Sequence, residues 1–163
     1  MGIMRTPIEA LQRAPLGFCE EARLISGLIV THGKLAHELL AAAQTIDARL
    51  DGIVAVALEW TETVDGAREK IREALDRMGT DSRVIIFTDM FGGTPSNISL
   101  SFLEKDRVEI VTGVNLPMIV KFSSLQRESD DLAGLAHTIG EKGSKSIRVA
   151  SDLLAGDPRT PGV

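Results

Sequence analysis

Leu24-Ile25-Ser26-Gly27-Leu28-Ile29-Val30 opens the stretch that decides the fold. It is short, apolar and partly β-branched, which is the composition of a buried strand. The period then changes. Leu35, Leu39, Leu40, Ala43 and Ile46 share one face at helical spacing. Ile53-Val54-Ala55-Val56-Ala57-Leu58 returns to a buried strand. A strand, a helix and a second strand make a crossover unit, which joins parallel neighbours.

The pattern repeats outward from that unit. Val64, Ala67, Ile71, Ala74, Leu75 and Met78 define a second amphipathic helix, ended by Gly79. Val84-Ile85-Ile86-Phe87 is a third strand, Pro95 to Leu103 a third helix and Val108-Glu109-Ile110-Val111 a fourth strand. Leu116 to Phe122 and Leu132 to Ile139 read as helices on either side of a polar loop. Ser146-Ile147-Arg148-Val149-Ala150 reads as a last, half-exposed edge strand. The expected fold is α/β: a three-layer, open, mostly parallel, doubly wound sheet of about four parallel strands plus that C-terminal edge strand. A closed eightfold barrel needs about 250 residues. The domain is expected over residues 23–151. Residues 1–22, broken by Pro7 and Pro15, read as a disordered extension, and residues 152–163 as a frayed tail.

Composition bounds the function. The 163 residues make about one domain. With 44% hydrophobic and 25% charged residues, disorder, collagen and coiled coil are excluded as overall descriptions. A net charge of −5 with no basic block argues against a nucleic-acid or anionic-membrane binder. The single cysteine, Cys19, excludes an internal disulfide and a multi-cysteine metal site. No apolar run reaches the roughly 18–20 residues of a membrane span. Glu9, Arg13 and Glu20 interrupt any signal-peptide core. A cytoplasmic domain is expected.

In open α/β sheets, ligands bind beyond the carboxyl ends of the strands, where strand order reverses. The residues there are Thr31-His32-Gly33-Lys34 after the first strand, Thr88 to Asn97 after the third and Thr112 to Pro117 after the fourth. Strand two ends in Glu59-Trp60-Thr61, which is less distinctive. His32 can be a base, a metal ligand, a nucleophile or simply a polar strand-end residue. Asp89 lies at the equivalent end of the third strand, so the two meet if strands one and three are neighbours. A carboxylate on one ring nitrogen would orient the imidazole and leave the other nitrogen free. Otherwise Asp89 only braces its loop. Gly92-Gly93-Thr94-Pro95 resembles an anion seat, with Thr94 as N-cap and Pro95 as first helical residue, or is only a turn. It lacks the lysine of a P-loop, and the first turn lacks a dinucleotide fingerprint. His37 and His137 read as plain helix residues, and no metal site is expected. A flavin or nucleotide binder would rest on fold analogy alone.

Three ordered segments resemble the mannose-family IIA component of the bacterial phosphotransferase system. They are Gly27-Leu28-Ile29-Val30-Thr31-His32-Gly33, then Phe87 to Asn97, then Val111-Thr112-Gly113-Val114-Asn115-Leu116-Pro117-Met118. The resemblance runs from about Ile25 to Ala150. It implies a phosphohistidine carrier that takes a phosphoryl group from HPr and passes it to a IIB component. That component phosphorylates a sugar during uptake through membrane IIC and IID partners. By the same resemblance His32 is phosphorylated, Asp89 orients it and Thr94 contacts the phosphoryl oxygens. Thr31, Gly33, Gly92 and Gly93 would surround the phosphoryl group, with Met90, Phe91 and Asn115 forming partner surface or support. No cofactor is implied. A homodimer is implied, in which residues 145–150 cross to the partner's sheet. The same site can also serve a regulatory protein whose phosphorylation state controls a partner rather than sugar transport.

Overall fold

A computed structural model describes residues 24–154. Its strands are β1 (Ser26–His32), β2 (Ile53–Leu58), β3 (Val84–Thr88) and β4 (Val108–Thr112). Its helices are α1 (Leu35–Ile46), α2 (Val64–Met78), α3 (Thr94–Ser99), α4 (Leu116–Leu125), α5 (Leu132–Lys145) and α6 (Ala150–Leu154). The sheet is parallel throughout, in the order β2-β1-β3-β4. The chain therefore steps from β1 to β2 on one side, then passes back over β1 to β3 on the other. The reversal lies between β1 and β3.

Alternation along the strands sorts the core into two layers. Ile29, Ile85 and Phe87 face α1, α4 and α5, where they meet Ala36, Ala43, Ile119, Phe122 and Ile139. Leu28, Val30 and Ile86 face α2 and α3, where they meet Ala67, Ile71, Ala74 and Ile98. Both faces of the sheet are thus covered, which is why its central strands are apolar at every position. Phe87 and Phe122 pack edge to face, with centroids 5.4 Å apart and planes at 74°.

Helix starts follow local chemistry. The Thr63 hydroxyl accepts from Gly66 N–H at α2, Asn115 from Met118 N–H at α4 and Asp131 from Gly134 N–H at α5. The third helix is shorter than its pattern suggests. It ends at Ser99 and tightens into a 3₁₀ turn over Leu100–Phe102.

The C-terminal segment corrects the sequence expectation. The fifth helix continues past Ile139 to Lys145, and Ser146 N–H closes it on the carbonyls of Lys142 and Gly143. That extension leaves no linker for a return to the sheet. Residues 147–149 form no strand, and α6 follows at Ala150. A strand needs a ladder partner, and here the segment pairs with neither edge, β2 nor β4. Ile147 and Val149 stay exposed. The expected extension over residues 1–22 lies outside the described residues, as does most of the expected tail over residues 152–163.

Candidate active site

Register brings the site together. Val30 pairs with Thr88, and His32 with Leu58. The carboxyl ends of β1, β2 and β3 therefore lie side by side, with β1 in the middle. His32 is the last residue of β1, and Asp89 the first after β3. Oδ2 of Asp89 accepts the His32 backbone N–H at 2.9 Å and lies 2.7 Å from the ring Nδ1. Oδ1 accepts the Met90 N–H at 2.9 Å. Partial burial pushes the Asp89 carboxyl pKa up, but three things outweigh it: the two His32 hydrogen bonds, the Met90 N–H and the histidine's charge. The net effect holds it below the ordinary carboxylate value. In the neutral imidazole, an ionised Asp89 favours the tautomer with the proton on Nδ1 and the lone pair on Nε2.

The sharp turn after Asp89 completes the wall. Gly92 has φ +80°, a conformation that disfavours a side chain. Gly93 has an ordinary backbone, but a Cβ there would stand 3.1 Å from both His32 Cε1 and Met90 Cγ. The second glycine thus lets the turn approach the imidazole closely. Gly93, not Thr94, is the N-cap of α3. Thr94 and Pro95 are its first two residues, and no side chain caps it. The fixed φ of Pro95 suits the first turn and asks for no N–H partner. Thr94 lines a hollow of about 120 Å³ together with His32, Leu58, Glu59, Trp60, Glu62 and Ala67. That is well below the roughly 300–1,000 Å³ of small-molecule pockets.

Two residues expected at the phosphoryl group are engaged elsewhere. The Thr31 hydroxyl is buried and accepts the Ala36 N–H at 2.7 Å, bracing the start of α1. The Gly33 N–H donates to Leu58 O at 2.9 Å, tying the β1 exit to β2. Asn115 supports rather than contacts: besides capping α4, its Nδ2 donates to Gly143 O at 3.2 Å. Met90 and Phe91 are 57% and 77% exposed and give the rim an apolar surface.

One residue at the site escaped the sequence reading. Trp60 stacks on His32, with ring centroids 4.6 Å apart and planes at 14°. Its signal was available: it is the chain's one tryptophan and stands at the same strand-end level as His32. Glu62 sits beside it, paired to Lys70 Nζ at 2.8 Å and accepting the Glu59 N–H at 3.1 Å. The Lys70 hydrogen bond, opposed by desolvation and aided by Glu59, keeps Glu62 below the ordinary carboxylate value.

Among the described residues, no cluster of three or more metal-ligating side chains occurs. No helix among them is long and apolar enough to cross a membrane.

Known proteins resemble this chain in sequence and in fold. The PTS system fructose-specific EIIA component of Bacillus subtilis is 31% identical over 132 residues, covering 80% of this chain and 90% of that protein. The PTS system mannose-specific EIIAB component of Escherichia coli is 28% identical over 76% of this chain, which spans 40% of that longer protein. The mannose/sorbose-specific IIA subunit from Enterococcus faecalis shares the fold with a TM-score of 0.71 at 22% identity, over 77% of this chain and 94% of that one. The family model described as EIIA-man, PTS system fructose IIA component, matches residues 26–139, and the chain belongs to that family of phosphotransferase-system IIA components.

Proposed function

We propose that this chain is a cytoplasmic phosphohistidine carrier, with Nε2 of His32 as the acceptor. The observation that carries the reading is the double contact of Asp89 Oδ2 with His32, which orients the imidazole through Nδ1 and does not engage Nε2. The Nε2 lone pair attacks the phosphorus of phospho-HPr in line. The N–P bond to the donor imidazole breaks, and its electron pair stays with the donor nitrogen. A second transfer passes the group to a IIB component, which serves sugar phosphorylation by membrane IIC and IID partners. Phosphoryl transfer asks mainly for positioning and charge stabilisation. Thr94 and the amides around Gly93 supply the latter, since first-turn N–H groups lack intrahelical partners. The reading requires no cofactor.

Docking of both partners falls to the exposed rim of Trp60, Met90 and Phe91. The carrier works as a homodimer, in which the 145–150 segment crosses to the partner's sheet. The exposed Ile147 and Val149 support this, as does the groove beside β4 lined by Glu109, Val111 and Ala136. Incubation with phosphoenolpyruvate, enzyme I and HPr, followed by intact mass, tests the reading. One acid-labile phosphoryl group is expected on wild type and none on His32→Ala. Full labelling of His32→Ala, or an unlabelled wild type beside phosphorylated HPr, would overturn it.

A further inference from the structure

We infer that Trp60 is a positioning residue for phosphoryl transfer: its indole fixes the plane of the His32 imidazole and stabilises the cationic ring that exists while Nε2 carries the phosphoryl group. The inference rests on reading His32 as the acceptor.

Asp89 restrains the ring at Nδ1, and Gly93 crowds it at Cε1. Both contacts are at the ring edge. Torsions that end in a planar ring are broad, so edge contacts alone leave tilt. A near-parallel indole at 4.6 Å and 14° removes it. The Nε2 lone pair lies in the ring plane, so the plane sets the line of attack. Trp60 is 79% exposed, so core burial does not explain its placement. It lies just past β2, whose last residue, Leu58, pairs with His32. The sheet register delivers the indole to the imidazole.

Charge gives a second role. The ring that attacks is the neutral form, with a proton on Nδ1 and a lone pair on Nε2. Forming the Nε2–P bond consumes that lone pair while Nδ1 keeps its proton. Both nitrogens are then substituted, and the ring is an imidazolium. An aromatic face attracts a cation, and indole does so best. Trp60 therefore favours the phosphorylated state over the free one, on the face that Asp89 does not reach.

The test uses the full chain and phosphoramidate, a small donor that needs no docking surface. Its N–P bond breaks, ammonia leaves and the phosphoryl group passes to Nε2. Wild type is compared with Trp60→Phe, Trp60→Leu and Trp60→Ala. Intact mass follows both the gain of the group and its later loss in buffer. Trp60→Phe, which keeps a weaker π face, should fall between wild type and the other two variants. Trp60→Leu, which keeps apolar bulk without a π face, and Trp60→Ala should lose the group roughly two- to fivefold faster and gain it more slowly. The sole tryptophan should also change emission on phosphorylation, and this change should vanish in His32→Ala. Equal gain and loss in all four proteins would overturn the role of Trp60 while leaving the carrier intact. Labelling of wild type no greater than that of His32→Ala would overturn the carrier reading, and this inference with it.

Discussion

One carboxylate oxygen, Asp89 Oδ2, meets His32 twice, at the backbone N–H at 2.9 Å and at the ring Nδ1 at 2.7 Å. The contact couples side-chain orientation to the sheet. The β1 backbone and the imidazole are held by the same atom, so the ring cannot shift without disturbing the β1–β3 junction. The other oxygen is taken by Met90 N–H. All the acceptor capacity observed is directed at donors.

Asp89→Asn follows from that geometry. An amide offers one oxygen, so either the His32 donors or Met90 N–H must face an NH₂ group. The variant should fold but lose about 1.5–3 kcal/mol, the worth of hydrogen bonds to a charged group. Phosphorylation of His32 should slow without disappearing. Urea unfolding and time-resolved intact mass check the two effects.

The depressed Asp89 pKa makes part of the stability pH-dependent. The folded state holds this carboxyl below its ordinary value of 3.8, so the unfolded chain binds the proton more readily. Stability from this group is therefore complete at neutral pH and is lost as pH falls through the folded value. The urea midpoint gap between wild type and Asp89→Asn should narrow as pH falls below about pH 4. A gap that widens in acid would contradict the sign.

Gly93→Ala places a methyl group 3.1 Å from His32 Cε1 and Met90 Cγ. Met90 is exposed and can yield; the imidazole, held by Asp89, cannot do so freely. The phosphorylation rate should fall about ten- to a hundredfold, because small misplacements of a reacting atom are costly. Circular dichroism should be unchanged.

Gly27→Ala tests packing remote from the chemistry. A Cβ on β1 there would stand 3.0 Å from Phe122 Cε1 and 3.2 Å from Ile53 Cγ1. Phe122 is fully buried against Phe87 and has little room to move. Overpacking should cost about 1–3 kcal/mol in urea unfolding. The phosphorylation rate per folded molecule should match wild type.

The proposed dimer can be read by light scattering. Ile147 and Val149 are 76% and 61% exposed in the single chain. Replacing both with lysine puts charge where a partner's sheet edge would bury them. The full-length wild type should run as a dimer and Ile147→Lys/Val149→Lys as a monomer with unchanged circular dichroism.

The sequence by itself determined the alternation of strands and helices, since periods of two and of about 3.6 are local properties of a few turns of chain. It also placed His32 and Asp89 at strand ends. Tertiary structure decided what those ends face. Strand order depends on which way each crossover turns and on pairing across distant segments. The order β2-β1-β3-β4 puts β1 between the strands that supply Trp60 and Asp89. The β1–β2 pairing also takes the Gly33 amide into a bracing contact with Leu58, and no spacing along the chain reveals this. The C-terminal segment shows the same division. Ser146 to Ala150 has a strand's composition, but α5 runs on to Lys145, and a strand without a ladder partner does not form.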